Sequence, residues 1–136
     1  MEKITVTAEI FADISKVYEY YTNPIHVINW NFASPDWYAP AAKNELKEGG
    51  KFCYTMAARD ESFSFDFSGT FIKLIDNQLI EIVLDDDRTM SLNFTAIEKG
   101  TLLEETFEPE TENSIDLQRG GWQAILDNFK KYCEEN

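Results

Sequence analysis

Residues 102–133 read LLEETFEPETENSIDLQRGGWQAILDNFKKYC, and a change of period inside this stretch decides the fold class. Up to Phe107 the chain alternates, with Leu103, Glu105 and Phe107 on one face and Leu102, Glu104 and Thr106 on the other, as a strand does. Pro109 ends that strand. From Asn113 onward the spacing becomes helical, gathering Ile115, Gln118, Trp122, Ile125, Leu126, Phe129 and Cys133 on one stripe. Asn113 is the expected cap, with Asp116 three residues on. A strand therefore hands over to a long C-terminal helix.

Upstream, Ile4, Val6, Ala8 and Ile10 alternate with Thr5, Thr7 and Glu9, which predicts a first strand. Asp13 caps a helix whose apolar positions are Ile14, Val17, Tyr18 and Tyr21, and Asn23-Pro24 stops it and starts a second short one carrying Ile25, Val27 and Ile28 toward the core. Residues 31–50 are expected to be weakly structured. Beyond Gly49-Gly50, alternation returns in Phe52, Tyr54 and Met56, then in Phe63, Phe65, Phe67 and Phe71, with Asp66 facing outward. Ile80, Ile82 and Leu84, then Met90, Leu92, Phe94 and Ala96, complete a total of about six strands.

One long helix is the only partner available to the apolar face of such a sheet, so the expected fold is α+β. A curved antiparallel sheet wraps around the C-terminal helix, with two short helices after the first strand, in a single domain over 1–136. A bent sheet closing on one helix leaves a gap at one end, and that gap is the candidate site.

Several segments resemble the START-like helix-grip superfamily (SRPBCC), and within it the heat-shock-protein ATPase activator homologues, or AHSA-type branch. They are ITVTAEIFADISKVYEYYTNP from Ile4, SPDWYAP from Ser34, GGKF from Gly49, FDFSG from Phe65, ETFEPE from Glu105 and GWQAILDNF from Gly121. Asp13 and Tyr18 stand where the family usually has Pro and Trp. The resemblance implies a helix-grip fold and a cavity, in a superfamily whose members bind lipids, hormones and aromatic or polyketide-like molecules and of which a few catalyse cyclisation. The eukaryotic activators carry an N-terminal half that a stand-alone domain lacks, so chaperone stimulation is not the leading expectation.

Composition narrows the function classes. The formal charge of −13, from 25 acidic and 12 basic residues, repels phosphate backbones and anionic headgroups, so no nucleic acid and no membrane is expected as a partner. MEKITVTAEI has no apolar signal region and no run spans a bilayer, which predicts a cytoplasmic protein. Cys53 and Cys133 lack metal or redox spacing and are expected to be small buried hydrophobes. With His26 the single histidine, no nucleophilic triad can be assembled, and neither glycine pair has phosphate-cradling spacing. No metal, no cofactor and no catalytic residue is assigned.

The leading expectation is binding of a small hydrophobic or aromatic molecule, and a homodimer is the expected assembly where one forms. The alternatives are a cavity enzyme, cyclase-like or using Glu105 for acid–base chemistry, and a co-chaperone-like interaction domain. The candidate ligand-binding residues are His26, Trp30, Trp37, Tyr54, Met56, Phe65, Phe67, Glu105, Phe107, Gln118 and Trp122. Trp30, Trp37 and Tyr38 either stack on a flat ligand or plug the open end of the sheet. Glu105 is the sharpest signal, because an unpaired carboxylate on an apolar face is costly. Tyr54, Gln118, Arg119 or a bound molecule are its expected partners. Gly120-Gly121 costs the helix up to about 1 kcal/mol per glycine relative to alanine, so either the backbone lies close to a ligand or the sheet, or the helix kinks or starts later.

Overall fold

The computed structural model describes residues 2–136. Seven antiparallel strands form one curled sheet in the order β1-β7-β6-β5-β4-β3-β2. The strands are β1 (Ile4–Ile10), β2 (Trp37–Asn44), β3 (Lys51–Ala58), β4 (Ser64–Ile75), β5 (Leu79–Leu84), β6 (Thr89–Ile97) and β7 (Gly100–Phe107). Helices α1 (Ile14–Thr22) and α2 (Pro24–Val27) follow β1, and α3 (Ile115–Glu135) closes the chain. Strands β2 to β7 run as a meander, and β1 lies beside β7 with Val6 opposite Glu105.

The unanticipated strand is β2, inside the stretch expected to be weakly structured. Its sequence, WYAPAAKN, has a buried pattern without clean alternation, and the register shifts between Tyr38 and Ala41, around Pro40. Proline lacks the N–H a central strand must donate, and β2 is an edge strand paired only with β3, so Pro40 is tolerated there. A second bulge, between Phe71 and Lys73, leaves the exposed Ile72 unpaired and returns Leu74 to the core side.

Both short helices start where expected. The Asp13 carboxylate accepts from the Ser15 N–H and the Asn23 side chain from the Ile25 N–H. Of the three apolar residues of the second helical turn only Val27 reaches the core, whereas Ile25 and Ile28 are exposed, since a single turn can bury only one side. The α3 cap is Ser114, one residue later than expected, its hydroxyl accepting from the Leu117 N–H at 3.1 Å. Asn113 instead gives its carbonyl to the Gln118 amide. Cys133 is buried, but Cys53 alternates with Phe52 and Tyr54 and sits half-exposed on the outer face.

The core is one-sided. The C-terminal half of α3 places Leu126, Phe129 and Cys133 against β1 and α1, in a cluster with Ile4, Ile10 and Leu103. Among the described residues, its backbone makes no comparable approach to β3, β4 or β5. The sheet curves away from the helix's first half, and that separation creates the site.

Candidate ligand cavity

Between the first half of α3 and the concave faces of β3, β4 and β5 lies a cavity of about 440 Å³, within the ~300–1,000 Å³ usual for small-molecule sites. Its walls are Phe52, Tyr54 and Met56 from β3, Phe65, Phe67 and Phe71 from β4, and Ile80 and Ile82 from β5. From α3 come Leu117, Gln118, Gly121, Trp122 and Ile125, which recur at helical spacing. Phe65 and Leu117, 42% and 63% exposed, stand at the mouth.

The two helical glycines have open space rather than close backbone beside them, since a Cβ on either would meet no atom within 4 Å. Gly120 is exposed, while Gly121 lines the cavity, so the missing side chain at 121 is part of the empty volume. No sheet backbone lies close to either glycine, Gly121 faces the cavity, and the helix runs through both positions without a late start.

Glu105 is 4% exposed and borders the cavity. None of the three side chains expected beside it is its partner. The Tyr21 hydroxyl, from α1, donates to Oε1 at 2.7 Å. Tyr54 is engaged through its oxygen, which accepts from Asn44 Nδ2 at 2.9 Å. Gln118 spends its amide on the β7–α3 loop, donating to the carbonyls of Glu110 and Asn113 and accepting from the Glu110 N–H. Arg119 faces solvent beside Asp116. Tyr21 was legible only as an apolar helix position; that its ring spans the gap to β7 depends on how α1 packs across the sheet.

Desolvation pushes the Glu105 carboxyl up to about 7, against a smaller downward pull from the Tyr21 hydrogen bond. Burial, and then the adjacent Glu105, hold the Tyr21 phenol well above its ordinary range, and burial takes Tyr54 to about 12. Asn31, 7% exposed and also at the cavity wall, has an Nδ2 with no hydrogen-bond partner among the described residues. Its position in an apparently irregular segment offered no sequence signal.

The structure brings Trp30, Tyr54, Met56, Phe65, Phe67, Glu105, Gln118 and Trp122 to one cavity. The other three candidate residues lie elsewhere. His26 stacks on Tyr20 with ring centroids 3.8 Å apart and its Nδ1 pairs with the Tyr132 hydroxyl at 2.8 Å, so it ties α2 to the far end of α3. Trp37 packs edge-on against Phe63 and Phe65 at the β3–β4 end and does not line the cavity. Phe107 is fully buried behind the wall, stacked on Trp122 at 4.0 Å. Trp30 acts as a plug, buried between Tyr21 and Phe129 with its Nε1 donating to the Tyr20 carbonyl. Asp66 faces outward and accepts from Thr55.

Residues 12–134 match the model of the family described as Activator of Hsp90 ATPase homolog 1-like protein. The chain belongs to that family. An AHSA1-like protein from Aeromonas hydrophila, solved in solution, is 40% identical, with a TM-score of 0.92 over 98% of this chain and 93% of that one. A protein from Cytophaga hutchinsonii, also solved in solution, is 46% identical, with a TM-score of 0.81 over 98% of this chain and 92% of that one. A protein from Nitrosomonas europaea shares the fold at 16% identity, with a TM-score of 0.83 over 98% and 94% of the two chains. Among curated proteins no match is found. Among the described residues, no AHSA1-like helix is long and apolar enough to cross a membrane, and no cluster of three His, Cys, Asp or Glu is arranged to hold a metal ion.

Proposed function

We propose that the protein binds a small hydrophobic or amphipathic molecule in the cavity between α3 and the sheet. The observation that carries this reading is an aromatic-walled space of about 440 Å³ bordered by a carboxyl that has one hydrogen bond for its two oxygens. A cavity left dry and unused would be expected to have a purely apolar lining. Here Glu105 has one hydrogen bond for two oxygens. An amphipathic ligand supplies the carboxyl with a partner while its apolar body meets the rings.

A second reading has one observation in its favour. A carboxyl lifted to about 7 and bonded to a tyrosine is poised to exchange protons near neutral pH, as a general acid or base must. This reading also requires a molecule in the same cavity, so the binding test comes first.

Gly121→Leu puts a branched side chain into the cavity from a position where its first carbon meets nothing. Replacing a helical glycine also favours the helix by up to about 1 kcal/mol. The variant should therefore keep or gain thermal stability while binding a neutral environment-sensitive dye such as Nile red about tenfold more weakly than the parent. Fluorescence titration read beside thermal unfolding checks both. Undiminished dye binding by a folded Gly121→Leu would move the dye site elsewhere and remove the support for this cavity.

A further inference from the structure

We propose that the ligand of this cavity is a small apolar molecule carrying one protonated amine, held by an ion pair with Glu105. The inference rests on the binding reading above and specifies the chemistry of what binds. Glu105 is a buried carboxyl with no cationic partner among the described residues, its one bond coming from the neutral Tyr21 hydroxyl. Arg88 is the cavity's one lining cation among those residues, and it is already held by Asp86 at 2.7 Å and directed to the Glu108 carbonyl. A single buried charge without a counterion is unfavourable, and a ligand that brings the counterion relieves it.

The surroundings suit a cation as well. Tyr21, Trp30, Tyr54 and Trp122 present aromatic rings to the space, and ring faces attract ammonium groups. A net charge of −13 draws cations toward the molecule and disfavours anions. A fatty acid would place a second carboxyl beside Glu105, where like charges oppose ionisation of both.

The titratable and charged groups that line the cavity with Glu105 are few. They are Tyr21 from α1, Tyr54 from β3, Arg88 before β6 and Glu110 in the β7–α3 loop. The face of α3 contributes none, and the residues paired with Glu105 across the sheet are Val6 and Leu92. Burial keeps both tyrosines neutral, and backbone hydrogen bonds hold Glu110 below the usual carboxylate range. Glu105 is thus the group at this wall whose charge changes near neutrality. Ammonium binding favours the ionised carboxyl, so affinity rises with pH up to about 7 and then levels off. A neutral ligand accepting a proton from the acid form shows the opposite slope.

The test displaces Nile red with phenylbutylamine, phenylbutanol and phenylbutanoate between about pH 5 and pH 9. Phenylbutylamine is expected to bind about tenfold more tightly than phenylbutanol at the alkaline end, with phenylbutanoate weakest. Its affinity should climb toward neutrality by up to about tenfold per pH unit. Glu105→Gln should abolish the amine's advantage over the alcohol and the rise of its affinity between about pH 5 and pH 7. Tyr21→Phe keeps the carboxyl but removes the bond that steadies its anion, so it should move the midpoint of the pH profile upward. An alcohol that binds as well as the amine, or an amine whose affinity does not rise with pH in the parent, overturns the amine assignment while leaving the cavity a binding site. Loss of Nile red binding itself, in a folded parent, overturns both.

Discussion

Glu105→Gln should make the protein more stable at pH 8 by roughly 3 kcal/mol, and the gain should vanish below about pH 4.5. The carboxyl is held at about 7 in the folded chain against 4.5 for an ordinary glutamate, with burial the dominant cause. Between those two values the folded state keeps a proton that the unfolded state has released. The unfolded state then binds fewer protons, so stability of the parent falls as pH rises through this window and is flat above it. The glutamine variant does not titrate and its curve lacks this descent. Its amide oxygen can still accept from Tyr21, and the volume is nearly the same, so no cavity is created. The carboxyls held below the usual range, such as Glu108 and Asp86, titrate beneath this window and in the opposite sense. Urea unfolding of parent and variant across the window measures the difference directly. Equal stability of the two at pH 8 would mean that Glu105 bears no desolvation cost.

Phe107→Ala should lower stability by about 3–5 kcal/mol, which for a domain of this size corresponds to roughly 10–20 °C in melting temperature. Phe107 is 0% exposed, lies opposite Ile4 on β1 and Met90 on β6, and stacks on Trp122. Its removal leaves a void between sheet and helix that rigid neighbours on three elements cannot collapse to fill. Phe65→Ala offers the contrast. Phe65 is 42% exposed at the mouth, so its truncation should cost less than about 1 kcal/mol and act on ligand affinity instead. Thermal unfolding of the two variants side by side tests this; similar losses from both would put Phe65 in the core or Phe107 outside it.

Both phenylalanines look alike in the sequence, since each occupies an inward position of an alternating strand. Alternation reports which face a side chain joins, and it does so well here: Phe52, Tyr54, Leu103 and Glu105 all point inward, and Asp66 and Cys53 outward. It is silent about what stands opposite. Where α3 approaches β1 the inward face is solid core, and where the sheet curls away from Leu117–Ile125 the same kind of face becomes a cavity wall. Strand β2 has no sequence signature for a related reason, because Pro40 and small residues at a bulged edge carry no period.

The sequence by itself determined the order of elements other than β2, the α+β class, the caps at Asp13 and Asn23, the long apolar stripe of α3 and the presence of a carboxyl on an apolar face. Each is written in local periodicity, in backbone chemistry or in charge placed against pattern. Tertiary structure alone decided that Tyr21 rather than Tyr54, Gln118 or Arg119 bonds Glu105, that His26 pins α2 to Tyr132, and that Asn31 joins the wall. Those pairings connect residues up to 106 positions apart, and they depend on sheet curvature and helix placement, which many distant contacts set together. No local pattern encodes them.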